Sequence, residues 1–304
     1  MIYTLTFNPA LDYIMRLPVL REGETNRAAS TALQFGGKGI NVSLVLAEMG
    51  VESVALGFVA GFTGEALSAH LAAVGVQTVF IPLPEGLTRI NVKLKTPEGD
   101  HPETEINAAG PAIPTECLEA LYRKLDALSA GDTLVLAGSI PPSLPRDTYC
   151  RILARLSGRG IRFVVDAEGA LLTETLPYSP FLIKPNRAEL EGIAGRPLST
   201  EAELRSAAAH LQEQGARNVL VSLGGDGAIL LDENGHFHSA AALPVVPVNT
   251  VGAGDSAVAG FLAGAEQGYG YALMMAMVCG AATAAGEGLA SGADIERLMK
   301  EIEE

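Results

Sequence analysis

Along almost its whole length this chain alternates short β-rich runs with longer stretches of helical spacing, and that rhythm limits the folds open to it. The runs IYTLTF, SVALGFVA, VFIPL, TLVLAGS, RFVVDAE, FLIKPN and NVLVSLG read as strands, bounded by turn residues. Between them lie GEALSAHLAAVG, ECLEALYRKLDALS, DTYCRILARLSGRG, RAELEGIAG and EAELRSAAAHLQEQG, which read as helices. This is the βαβ rhythm of an α/β fold: a doubly wound, mostly parallel sheet flanked by helices. A length of 304 residues is the usual prior for two domains, yet an α/β fold holds it in one. Hydrophobic residues make up 48%, enough for a large core. We read residues 1–304 as a single domain.

Two stretches break the rhythm. Between Tyr13 and Phe35 the chain is more polar, with short alternating runs and no helical period. Residues 87–107 behave alike: LTRINVKLKT alternates cleanly, a Pro-Glu-Gly-Asp turn follows, then HPETEINAAG. Clean alternation implies strands with one solvated face. Insertions at about 12–36 and 87–108 would therefore pair into a small β-sheet lid over a site. Arg27 and Arg89 lie one in each insertion. An arginine on a half-exposed strand is usually just solvated, but two on one lid can grip a phosphate in bidentate fashion.

The turns carry the chemistry. A proline-bounded strand, ALPVVPVNT, runs into Val251-Gly252-Ala253-Gly254-Asp255, and a helix rich in Ala and Gly starts near Gly254. A helix N-terminus offers unpaired N–H groups and the positive end of its dipole, so an anion is favoured there. Asp255, in the first turn, stands where a base would take a proton from a hydroxyl while the turn steadies a phosphoryl group. A plain helix start with a stabilising carboxylate explains the same residues. At the end of the first strand, Asn8 and Pro9 make a break and Asp12 follows, either a turn carboxylate or an acceptor for a substrate hydroxyl. Gly36-Gly37-Lys38-Gly39-Ile40-Asn41 opens another helix and is neither a Walker A loop nor GxGxxG. It reads as a tight turn or as a polyol- and phosphate-facing loop, with Asn41 on hydroxyls and Lys38 neutralising charge. Asn186 and Glu189 have the spacing of a capping box, which Mg²⁺ ligation would also suit. Ser222-Leu223-Gly224-Gly225-Asp226-Gly227 is a β-turn that could offer its amides to a nucleotide.

Charge and composition exclude other classes. A net charge of −14 argues against nucleic acid or an anionic membrane as partner, so any phosphate site must be local. Cys117, Cys150 and Cys279 form no metal framework and read as buried apolar groups in a reducing compartment. No histidine pair has metal spacing, and we expect His70, His101, His210, His236 and His238 at the surface or on the lid. The start of the chain lacks the pattern of a signal peptide, and no apolar run reaches a membrane span. A cytoplasmic location follows as an expectation.

NPALD, GGKGINVSLVLAEMGVESVALGFVAG, KPNRAEL, SLGGDGA and VGAGDSAVAGFLAG stand in order over nearly the whole chain. In that order and spacing they resemble the PfkB (ribokinase-like) family of sugar kinases, closest to its 1-phosphofructokinase and tagatose-6-phosphate kinase branch. The resemblance implies a ribokinase-like fold, ATP and Mg²⁺. It makes Asp255 the base and Gly252, Ala253 and Gly254 the anion hole. Asp12, Gly37, Lys38 and Asn41 would hold the sugar, with Arg27 and Arg89 on its existing phosphate. Lys184, Asn186 and Glu189 would organise ATP and Mg²⁺, and Ser222, Gly224, Gly225, Asp226 and Gly227 would line the nucleotide site. The lid of such kinases often forms a dimer contact, so a homodimer is expected. The expected reaction converts fructose 1-phosphate to fructose 1,6-bisphosphate; the rivals are tagatose-6-phosphate kinase, 6-phosphofructokinase and a non-catalytic sugar-phosphate-binding regulator. One position departs from the family pattern: Asn249 stands where many members have an aspartate, which in some relatives helps bind a monovalent cation.

Overall fold

The computed structural model describes residues 1–96 and 103–303. The turn expected at 97–100 and His101 lie outside them. The N-terminal part carries β1 (Ile2–Thr6), β2 (Ala10–Arg16), β3 (Ser30–Gly36), α1 (Lys38–Glu48), β4 (Ser53–Val59), α2 (Gly61–Ala73), β5 (Gln77–Pro82), β6 (Arg89–Lys95) and β7 (Glu103–Ile106). The middle carries α3 (Thr115–Leu125), β8 (Thr133–Ala137), α4 (Thr148–Leu156), β9 (Arg162–Asp166), α5 (Ala170–Thr173), β10 (Leu182–Ile183), α6 (Arg187–Ala194) and α7 (Glu201–Glu213). The C-terminal part adds β11 (Asn218–Ser222), β12 (Ala228–Leu231), β13 (Phe237–Ala240), α8 (Ala253–Gly264), α9 (Tyr269–Ala285) and α10 (Gly292–Glu303).

Nine strands form one sheet in the order β13-β12-β11-β10-β9-β8-β1-β4-β5. From β11 to β5 all pairings are parallel, while β12 pairs antiparallel with both β11 and the edge strand β13. The buried strands read as continuous apolar runs because both faces are covered. On β8, Leu134 and Leu136 pack on one side with α3 and α4, while Val135 and Ala137 pack on the other, where α1, α8 and α9 lie. Strand order reverses at β1, and ligands bind outside the carboxyl ends of the strands at such a switch point. Below it, α1 is tied to β1 by the buried Thr4–Ser43 hydroxyl pair at 2.8 Å and by the Ile40 N–H donating to Thr6 Oγ1 at 3.1 Å.

The two polar insertions pair as a separate four-stranded sheet, β3-β2-β6-β7. Register puts Asp12 beside Asn91 and Lys93 beside Glu105, so one face is polar. The other face carries the row Leu33, Tyr13, Val92 and Ile106, one residue from each strand. Two expectations change here. Asp12 belongs to β2 of this second sheet, because the chain turns at Asn8 and Pro9 straight into a new strand. The segment ALPVVPVNT forms no strand. Pro244 and Pro247 lack the N–H that a ladder needs, and the N–H groups of Val248 and Asn249 both donate to the Ala284 carbonyl of α9.

The small residues of α8 let it lie tightly on α9. A Cβ on Gly260 would stand 2.3 Å from the Met275 carbonyl oxygen, which is backbone and cannot move aside cheaply. Gly260→Ala is therefore expected to destabilise the protein by about 1–3 kcal/mol through overpacking. Gly192→Ala, at an exposed position in α6 with open space around it, should be neutral or stabilising, since alanine is the better helix former. Urea midpoints with unchanged slopes would measure both.

Candidate active site

The glycine turn comes first, since every other group in the cleft is arranged around it. Gly252 caps α8 at φ 84, a conformation that favours glycine. Asp255 sits in the first turn of α8 and is 5% exposed. Its Oδ2 accepts the Asn41 side-chain N–H at 2.7 Å, so the GGKGIN loop reaches the turn directly. Burial pushes the Asp255 carboxyl up to about 7, with help from nearby Asp166 and against Asn41, Lys38 and Lys184. A carboxylate that titrates near neutral pH beside a helix N-terminus is matched to proton abstraction.

Two ammonium groups flank the turn. Lys38, the first residue of α1, and Lys184, just past β10, both reach Asp166, at 3.6 and 3.4 Å. Asp166 ends β9 and its side chain is only 3% exposed. Lys184 Nζ lies over Gly254, 2.9 Å from where a Cβ would stand. Burial pulls Lys38 down, but Asp166, Asp255, Glu189 and Glu168 more than offset this, and its pKa lies above the ordinary lysine value. Lys38 is therefore charged next to the anion-favouring end of α8.

The polar face of the second sheet closes the other side. Asp12 accepts from Asn91 Nδ2 at 2.8 Å and pairs with Lys93 Nζ at 3.1 Å. Lys93 is nearly buried and also meets Glu105 at 3.4 Å. Arg89 donates to the carbonyls of Asn8 and Ala108, at 3.2 and 3.3 Å. Together these groups line a cleft of about 700 Å³, within the range of small-molecule sites. Past Lys38 and Arg89 it adjoins a second hollow of about 620 Å³, which Ser139, Arg146 and Glu168 also line.

The cleft brings together Asp12, Gly37, Lys38, Asn41, Arg89, Lys184, Asn186, Glu189, Ser222, Gly252, Gly254 and Asp255. Arg27 does not join them. The cleft lies at the Ala10–Gly36 end of the β2–β3 pair, whereas Arg27 follows the opposite end, Arg16–Ser30, about 20 Å along the strands. Ala253 lies behind Gly252 and Gly254 rather than on the cleft wall. Of the Ser222 turn only Ser222 lines the cleft: Gly224, Gly225 and Asp226 form one 3₁₀ turn, and Asp226 pairs outward with Arg187 at 3.0 Å. Asn186 and Glu189 do form a reciprocal capping box, and both still face the cleft. Asp166, Lys93 and Glu105 carry charge in the cleft but were not singled out in the sequence. An acidic residue closing the apolar run RFVVD was the available signal for Asp166. The inward face of the alternating run RINVKLK was the signal for Lys93.

Residues 5–295 match the pattern of the pfkB family carbohydrate kinases. The chain belongs to this family. As a pfkB carbohydrate kinase it is a phosphotransferase that acts on a sugar. It is 42% identical over 304 residues to a 1-phosphofructokinase of Bacillus subtilis strain 168, an alignment covering 99% of this chain and 98% of that one. It is 32% identical over 306 residues to a D-tagatose-1-phosphate kinase of Bacillus licheniformis, covering 100% and 99%. Phosphofructokinase-2 of Escherichia coli, solved in complex with potassium, superposes with a TM-score of 0.91 at 28% identity, covering 100% and 99%. Among the described residues no helix is long and apolar enough to cross a membrane.

Proposed function

We propose that this pfkB kinase transfers the γ-phosphoryl group of ATP to the C6 hydroxyl of fructose 1-phosphate, giving fructose 1,6-bisphosphate and ADP. The observation that carries the reading is the buried Asp255, titrating near neutral pH at the N-terminus of α8, opposite the polar face of the second sheet with Arg89 and Lys93. Asp255 takes the hydroxyl proton as the oxygen attacks phosphorus and the bond to the ADP oxygen breaks. The N–H groups of Gly254 and Asp255 and the Lys184 ammonium stabilise the phosphoryl oxygens, so catalysis is mainly positioning and electrostatics. Asp12, Asn41 and Lys38 orient the sugar, and Arg89 binds the phosphate it already carries. The second sheet acts as a lid that keeps water, a competing acceptor, out of the cleft.

Mg²⁺ fits this site. The capping box engages one Glu189 oxygen, Oε2, and Glu189 and Asn186 face the cleft between Lys184 and Ser222. They would hold the ion largely through its waters, and it would supply charge neutralisation on the nucleotide phosphates. The free thiols of Cys117, Cys150 and Cys279 suit a cytoplasmic setting.

The outer face of the second sheet supports a homodimer. Tyr13, Leu33 and Ile106 are 38%, 47% and 59% exposed in one apolar row, which a second copy of the lid would cover. Leu33→Asp with Ile106→Asp should convert the dimer to monomer in sedimentation velocity, and a monomeric wild type would sink this part of the reading.

The reaction is tested by ATP-dependent ADP release with fructose 1-phosphate, tagatose 1-phosphate, tagatose 6-phosphate and fructose 6-phosphate in parallel. The highest kcat/KM is expected for fructose 1-phosphate. Preference for tagatose 1-phosphate, the sugar in the name of the Bacillus licheniformis relative, would keep the mechanism and change the sugar. Stabilisation by these ligands without turnover would overturn the reading.

A further inference from the structure

Asn249 stands outside the cleft wall, just before the glycine turn, and its half-buried amide is used at both ends. Its Oδ1 accepts the N–H of Val251 at 3.2 Å, within the turn itself. Its Nδ2 donates to the carbonyl of Glu287 at 3.2 Å. The same carbonyl accepts Nε2 of Gln34, from β3 of the second sheet, at 3.0 Å. Glu287 also pairs through its carboxylate with Arg16 of β2 at 3.0 Å, an exposed contact of small worth. Two residues on, Leu289 packs against Gly252, 2.6 Å from where a Cβ would stand. The loop 286–291 thus touches the anion-hole turn on one side and the second sheet on the other.

We propose that Asn249 is a positioning residue which fastens the anion-hole turn through its neutral amide, so that this kinase needs no monovalent cation to hold the turn. The inference rests on the kinase reading above. An amide has one donor end and one acceptor end, and here each meets its complement: a backbone N–H and a backbone carbonyl. A carboxylate at 249 would still accept from Val251 but would set its second oxygen against the Glu287 carbonyl. Two oxygens facing each other call for a cation between them. The donor set of this chain does not fit one there, since both lone pairs of the Glu287 carbonyl are already met by N–H groups. The family resemblance ties such an ion, in some relatives, to an aspartate in place of Asn249.

The test uses the full-length enzyme with ATP, Mg²⁺ and its best sugar phosphate, in potassium chloride and in tetramethylammonium chloride at equal ionic strength. Wild-type kcat is expected to agree within about twofold between the two salts. Asn249→Asp, almost the same size, is expected to lose at least about tenfold in tetramethylammonium and to recover in potassium, the order of one misplaced hydrogen bond. Asn249→Ala should be slow in both salts. Melting temperature gives a readout that needs no turnover: potassium should raise it for Asn249→Asp and leave the wild type unmoved. A wild type that loses tenfold or melts earlier without potassium would overturn the proposal, as would an Asn249→Asp enzyme indifferent to the salt. Absence of wild-type turnover in either salt would instead count against the kinase reading, and the melting comparison would still decide the role of Asn249.

Discussion

Asp255→Asn is expected to lower kcat by about 10²–10⁴, the usual span for removing a general base. The variant should remain folded and still bind the sugar phosphate, because asparagine keeps the shape and can pair with Asn41 through its amide. The pH dependence makes the expectation sharper. Burial, with Asp166 beside it, pushes Asp255 up to about 7, and only the carboxylate can accept a proton. Wild-type kcat/KM should therefore fall tenfold per pH unit below about 7 and level off above it, while the residual activity of the variant lacks that limb. Stability moves the opposite way. A carboxyl whose native pKa is raised binds its proton more tightly when folded, so its contribution is present at low pH and lost as pH rises through about 7. Asparagine cannot ionise, and the variant should gain on the wild type in melting temperature as pH rises from about 4 to about 7, with no further gain above. A kcat/KM flat down to pH 5, with the variant keeping a tenth of wild-type activity, would remove Asp255 from the role of base.

Much of this site could be read locally. The helix start at Gly252, Asp255 in its first turn and the Asn41 loop each follow from glycine punctuation and from helix ends, which are properties of a few neighbouring residues. The alternation of LTRINVKLKT showed a half-solvated strand, and the pairing of the two polar insertions followed from it. What the chain hid depends on tertiary register. The alternation of RINVKLK put Lys93 on one face, but that this face meets Asp12 follows from the pairing of β2 with β6, which no local pattern specifies. Asp166 matters because β9 lies next to β10, which places one carboxylate between Lys38 and Lys184. The same cause separates Arg27 from the cleft of its own chain: the alternation indicated a lid strand nearby, but only strand direction decides which end of the hairpin meets that cleft. The expected strand before Asn249 failed for a local reason, since two prolines outweighed its β-rich composition.

Arg89→Ala is expected to raise KM for the sugar phosphate by about 100-fold and leave KM for ATP unchanged. Arg89 donates to two main-chain carbonyls, and the rest of its five N–H groups remain for a ligand. Asp12, the carboxylate that acts on it most, is paired with Lys93 instead. Burial lowers its pKa, with Asp12 opposing, so the guanidinium carries a desolvation cost that no ion pair among the described residues relieves. An anion arriving there gains both the charge and the fork geometry. Two charge-assisted bonds to a phosphate are together worth about 3 kcal/mol, which is the 100-fold change in affinity. Lysine supplies a point charge without the fork, so Arg89→Lys should recover only part of the loss. Added salt should weaken wild-type binding of the sugar phosphate more than that of Arg89→Ala, because the screened interaction is the one removed. Melting temperature should change little, since among the described residues Arg89 makes no ion pair. A KM for the sugar phosphate within threefold of wild type, in a folded Arg89→Ala enzyme, would show that the phosphate is held elsewhere, with the Ser139 and Arg146 hollow as the place to look.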